Sequence, residues 1–233
     1  MHFPSVSRTY NIYRYSLSDS STPEYYRISV KREVEALATA RRDATDLDGA
    51  QTAESTVTQY PAYISHLLHD KIQEGDILEV AYPFGEFFME DSTSPIVLLS
   101  AGVGLTPVLS MLNTLTAEGK RPNRQVSWIQ GMRTPRDHAF LGHIHALAQT
   151  YPENIKTAIF YSAIGEDDDF QKGDYVGRMN LLRKDLDKGL LHLNDKGSQY
   201  YMCGPVPFMD NIREQLEGLG VEGDRIHAEV FVP

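Results

Sequence analysis

From residue 96 to residue 230, apolar runs of strand length alternate with stretches of helical periodicity. The pattern predicts strands at residues 96–100, 125–130, 155–161, 199–203 and 225–230, and helices at 106–118, 139–150, 180–186 and 205–219. Strand and helix in alternation leave little choice of fold: a mostly parallel, doubly wound sheet covered by helices on both faces. Ligands of such sheets bind at the carboxyl ends of the strands.

Two strand ends carry suggestive chemistry. Residues 96–107 read Ile-Val-Leu-Leu-Ser-Ala-Gly-Val-Gly-Leu-Thr-Pro, an apolar strand running into a Gly-rich turn and then a helix. Gly102 and Gly104 have no Cβ to obstruct a ligand, and the helix offers unpaired N–H groups and the positive end of its dipole. A dinucleotide fingerprint would need a small residue where Pro107 stands and an acid in place of Gln130 or Gly131; a P-loop would need Gly-Lys-Ser/Thr after Gly104. The turn is therefore a variant phosphate site, and in isolation a plain connection explains it equally well. The second strand end, Cys203-Gly204-Pro205, converges on the same sheet edge.

The first half reads differently. Residues 10–18, 25–31 and 76–82 are rich in Tyr, Ile and Val and predict strands, while 61–72 predicts a helix with Ile64, Leu67, Leu68 and Ile72 on one face. Between them, residues 36–58 have few large apolar residues and predict a mobile surface loop. The break at residues 91–95 divides the chain into domains 1–93 and 94–233.

Composition removes other classes. A net charge of -10 without a dense basic cluster argues against a nucleic-acid surface. No apolar run has the length of a membrane span and the first residues do not form a signal peptide, so the expected location is cytoplasmic. Cys203 is the single cysteine, which excludes an intrachain disulfide and a Cys-based metal cluster. The histidines show no ligand pattern: His143 and His145 face apart, and His66 and His69 read as surface helix residues. Residues 166–169 read as a solvated acidic loop, and Trp128 as packed in the sheet core.

Taken together, Tyr13-Arg14-Tyr15-Ser16-Leu17-Ser18, Ile28-Ser29-Val30-Lys31-Arg32-Glu33, Gly85-Glu86-Phe87-Phe88, the turn at 101–107, Cys203-Gly204-Pro205 and Glu229-Val230-Phe231 resemble the ferredoxin–NADP reductase superfamily. More narrowly, they are similar to the reductase half of fungal flavohaemoglobins, in order and over nearly the whole chain. The resemblance implies an antiparallel FAD-binding β-barrel, here incomplete, followed by the NAD(P)-binding α/β domain, with hydride passing from NAD(P)H to FAD. It implies that Tyr15 lies against the isoalloxazine, that Ser16 bonds near the reactive nitrogen, and that Arg14 and Leu17 belong to the cofactor-binding residues. Lys31 would line the FAD, Ser65 would face its pyrophosphate, Glu229 would tune the flavin and Phe231 would cover its other face. Gly102, Val103, Gly104, Leu105, Thr106 and Pro107 would hold the NAD(P)H pyrophosphate, and Cys203, Gly204 and Pro205 would flank the nicotinamide. Ser16, Cys203 and Glu229 are then the catalytic candidates. Arg133 and Arg136 fall where the superfamily reads the adenosine ribose, and a guanidinium there would pair with a 2′-phosphate. Each residue alone also has a structural reading, as a cross-strand aromatic, a strand hydroxyl or a small buried group.

The chain departs from the family at the flavin. Tyr13 stands for an Arg, Ala62 and Val232 for glycines, and the family's first barrel strands and preceding globin are not matched. Two functions follow: a reductase domain that passes electrons to a separate acceptor such as a haem protein, or a nucleotide- or partner-binding module whose flavin site has decayed.

Overall fold

In the computed structural model the described residues are 13–15, 25–30, 63–79, 85–117, 122–165 and 174–230. The chain divides into two units, Met1–Tyr10 with Ser29–Tyr82, and Asn11–Ile28 with Pro83–Pro233.

In the first unit the described elements are few. Helix α1 (Tyr63–Asp70) falls within the predicted 61–72 segment, and its exposed His69 hydrogen-bonds through Nε2 to the Val30 carbonyl at 2.9 Å. The strand expected at 76–82 is not formed over residues 76–79; the rest of it lies outside the described residues. The Asp76 carboxylate accepts the Gln73 N–H at 2.8 Å, closing a turn that competes with extension and leaves Ile77 93% exposed. The expected loop at 36–58 also lies outside the described residues.

The second unit contains the short antiparallel pair β1 (Tyr13–Tyr15) and β2 (Tyr25–Arg27), in which Tyr13 faces Arg27, Arg14 faces Tyr26 and Tyr15 faces Tyr25. A complete barrel is not seen among the described residues. The rest of this unit is a six-stranded sheet in which every pairing is parallel. Its strands are β3 (Ile96–Ala101), β4 (Val126–Met132), β5 (Ile155–Tyr161), β6 (Asp174–Val176), β7 (Gln199–Gly204) and β8 (Ile226–Val230), in spatial order β6-β5-β4-β3-β7-β8.

Helices α2 (Leu105–Leu115) and α3 (Leu141–Thr150) cover one face, where Ile96, Leu98, Trp128, Ile159 and Tyr201 meet Leu105, Val108, Leu109 and Ile144. Helix α4 (Val206–Gly218) and the turns of residues 179–193 cover the other, over Val97, Leu99, Ile129, Phe160 and Met202. Because both faces are buried, the strands are apolar nearly throughout. Pro107 sits in the first turn of α2, where backbone N–H groups have no intrahelical acceptor, so it does not break the helix.

Two features differ from expectation. Residues 180–186 form no α-helix: Gln215 Oε1 takes the Leu181 N–H at 2.7 Å and Asn180 Oδ1 takes the Leu182 N–H at 2.9 Å. These bonds would suit a helix start, but the Leu181 carbonyl, which a helix would offer to residue 185, instead accepts from Lys188 Nζ. The three-residue edge strand β6 was not anticipated.

Candidate functional site

Strand order fixes where a ligand can bind. The chain steps outward from β3 through β4 and β5 on one side and through β7 and β8 on the other, so loops leaving the carboxyl ends of β3 and β7 diverge to opposite faces. Such a divergence opens a crevice at the sheet edge. The loop after β3 is the Gly102–Gly104 3-10 turn, and the loop after β7 is Gly204-Pro205.

These two loops touch through their backbones. A Cβ at Gly104 would overlap the Cys203 carbonyl and lie 2.6 Å from the Gly204 nitrogen, so only glycine allows this approach. Gly102 has φ +56° and open space around its Cβ position, and Val103 is exposed beside it. Gly104, Leu105, Thr106 and Pro107 are buried, and the Thr106 hydroxyl donates to the Val103 carbonyl at 3.2 Å. A cofactor phosphate at this turn would therefore meet Gly102 and Val103 first, while Leu105 and Pro107 seat the helix against the sheet. The open backbone over Gly102 fits such a group.

Register sets a row of side chains across the edge. Gln130 pairs with Ser100, Ser100 with Cys203, and Cys203 with Glu229. Strand alternation places all four on the α2 side, one residue pair beyond Trp128, Leu98, Tyr201 and His227. Burial, and then the Glu229 carboxylate, push the Cys203 thiol up to about 12; burial also raises the Glu229 carboxyl above its ordinary range. Cys203 is thus a protonated, fully buried thiol rather than a nucleophile. Ser100 Oγ and Gln130 Nε2 are buried without a hydrogen-bond partner.

Beyond β4, Arg133 and Arg136 lie exposed at the sheet edge. Between Arg136 and α3, His138 turns inward: its Nδ1 lies 2.8 Å from the Tyr161 hydroxyl and its Nε2 lies 2.9 Å from Gln130 Oε1. The same oxygen accepts Trp128 Nε1–H at 2.9 Å. Burial, with a smaller contribution from His145, holds the His138 pKa down to about 4.

Of the remaining candidates, Arg14 and Tyr15 stand on β1, which runs beside α2, and Ser65 is on α1. Ser16, Leu17, Lys31 and Phe231 lie outside the described residues.

Residues 98–214 match the family model of the oxidoreductase NAD-binding domain. The chain belongs to this family. The match spans β3 through most of α4, with both ligand loops inside it. The chain is 39% identical to a flavohemoprotein of Rhizobium meliloti over 95% of its own length and 48% of that protein, and 40% identical to one of Bordetella pertussis over 94% and 47%. It therefore spans about half the length of these curated relatives. The crystal structure of the flavohem-like FAD/NAD binding domain of nitric oxide dioxygenase from Vibrio cholerae O1 biovar El Tor superposes with TM-score 0.66 at 30% identity, covering 94% of this chain and 76% of that one. The resemblance to the ferredoxin–NADP reductase superfamily holds, and the matched part of the chain is an oxidoreductase NAD-binding domain. No helix among the described residues is long and apolar enough to cross a membrane, and none of their His, Cys, Asp and Glu side chains cluster as a metal site.

Ser100, Gln130, His138 and Tyr161 do not stand out as site residues in the sequence. The one available signal was the i, i+2 pair Trp128 and Gln130, which puts a polar side chain on an apolar strand face.

Proposed function

We propose that this chain is the reductase module of an electron-transfer system: it takes hydride from NAD(P)H at the β3/β7 edge, passes it to FAD, and delivers electrons to a separate acceptor, a haem protein. The observation that carries this reading is the packing of Gly104 on the Cys203–Gly204 backbone at the topological switch point. Support for the haem acceptor comes from the relatives, whose names pair flavin and haem in one protein.

The chain's own residues do the positioning. Gly102 and Val103 approach the dinucleotide pyrophosphate without a side-chain barrier, aided by the N-terminal end of α2. Gly204 and Pro205 border the nicotinamide, with the Cys203 thiol beneath them as a small, uncharged wall. Glu229, in register beside Cys203, holds at that wall a carboxyl group whose pKa burial raises above its ordinary range. On the family pattern, Arg14, Tyr15, Ser16, Leu17, Lys31, Ser65 and Phe231 are the residues that would hold FAD. When bound, the nicotinamide supplies the hydride and the flavin divides it into single electrons for the acceptor. Arg133 pairs with a 2′-phosphate, favouring NADPH. The domain boundary near residue 93 separates the flavin and dinucleotide halves, and the unpaired, protonated Cys203 suits the reducing cytoplasm.

The purified chain should take up FAD, turn yellow, and lose its flavin absorbance when NADPH is added without oxygen. Protein that stays colourless after incubation with FAD overturns the proposal.

A further inference from the structure

We propose that His138 is a positioning residue for dinucleotide binding: it clamps the loop between β4 and α3 to the sheet and so fixes Arg133 at the adenosine end of the site. This builds on the role assigned to Arg133 above.

The loop leaves the sheet at Met132 and enters α3 at Leu141. Its first end is fastened by backbone, since the Ser162 N–H donates to the Met132 carbonyl at 3.0 Å and the Ala163 N–H donates to the Arg133 carbonyl at 2.8 Å. Its far end is fastened by the His138 ring. The polarity of that clamp is determined. An indole N–H only donates, so the oxygen 2.9 Å from Trp128 Nε1 is an acceptor, and His138 Nε2, at 2.9 Å from the same oxygen, must also donate. Nδ1 then accepts the Tyr161 hydroxyl. Neutral histidine in one tautomer satisfies both bonds, and burial favours that state.

The loop needs such an anchor. Phe140, two residues beyond His138, has φ 63° and an exposed ring, a left-handed conformation that is strained for an aromatic residue. Strain of this kind persists only where the surroundings impose it. Arg133 is exposed on the same loop, and a guanidinium recognises phosphate through a planar fork that tolerates little rotation. An aliphatic side chain would fill the His138 space without bonding two partners. The polar ring instead specifies one orientation of the loop.

The test uses the full chain with His138→Leu, which keeps bulk and removes both bonds, and His138→Gln, which retains one acceptor and one donor. Calorimetric titration with NADP+ and NAD+ reads binding independently of the flavin, and turnover with ferricyanide separates KM from kcat. Emission of Trp128, the single tryptophan, reports whether the network is intact. In His138→Leu both dinucleotides should bind about tenfold more weakly with kcat changed less than about twofold, as expected when a contact that positions the binding loop is lost. His138→Gln should recover most of the affinity, and Arg133→Ala should cost less NADP+ affinity in the His138→Leu background than in the parent. Unchanged binding in His138→Leu, equal losses in the Leu and Gln variants, or full additivity with Arg133→Ala overturns the clamp. If Arg133→Ala alone weakens NADP+ and NAD+ alike, the 2′-phosphate role fails, and the clamp is judged on NAD+ binding by His138→Leu against His138→Gln. If His138→Leu does not fold, Tyr161→Phe removes the hydroxyl bonded to His138 Nδ1 and should weaken binding about threefold; no change overturns the proposal.

Discussion

Gly104 and Gly102 sit two residues apart in one turn, yet their substitutions should fail for different reasons. Gly104→Ala drives a methyl group into the Cys203 carbonyl, and backbone on both sides prevents relief. It should lower stability by about 2–4 kcal/mol in urea unfolding and abolish dinucleotide binding. Gly102→Ala meets no atoms and suffers only from its positive φ, so it should cost about 1–2 kcal/mol and be partly relieved by Asn. Equal losses at the two positions would contradict this packing. Cys203 offers a chemical counterpart. Its thiol is buried and pushed up to about 12, so Ellman's reagent at mild alkaline pH should titrate no thiol in the folded chain and one after denaturation. Rapid labelling of folded protein would refute the burial of this edge.

Among the elements, the loop after β4 carries the dinucleotide prediction. Arg133→Ala should raise KM for NADPH more than KM for NADH, and equal effects would remove the 2′-phosphate role. The segment at 180–186 carries a stability prediction: Gln215→Ala removes the acceptor of the Leu181 N–H and should cost about 1–3 kcal/mol in chemical denaturation. That segment also shows the limit of reading elements from spacing. Leu182 and Leu186 have the i, i+4 spacing of a helix face, yet Leu182 is exposed while Leu181 and Leu186 are buried, and the Lys188 ammonium takes the Leu181 carbonyl that a helix would use. Strands β3, β5 and β7 were legible because burial on both faces leaves a run of apolar residues in the sequence. The Gly turn and Cys203-Gly204 were legible because their chemistry is local. The Ser100–Gln130 row and the His138 clamp were not, since parallel register joins residues that no spacing rule connects.

For the whole molecule, stability should depend on pH through the buried His138 and the half-buried Glu229, which act with opposite sign. His138 is held down to about 4 in the folded state and titrates near 6.5 when unfolded, so the unfolded chain takes up the proton first. Its contribution is fully present above about pH 6.5 and disappears as pH falls toward 4, a loss of about 3 kcal/mol. Glu229 is raised from 4.5, so it favours the folded state as pH falls through its folded value and opposes part of that loss. His138→Gln should flatten the acid limb of the Tm–pH curve, and an unchanged limb would show that His138 is not responsible. The order of the strands has a different consequence, in biosynthesis. Ile96 of β3 pairs with Val126 on one side and with Gln199 on the other, so half of the binding crevice leaves the ribosome long before its counterpart. Dinucleotide can stabilise only a chain that already presents both walls. A transcript that stops short of Gly204 yields a fragment that no amount of nucleotide protects, and proteases meet it as an open sheet with an unpaired central strand.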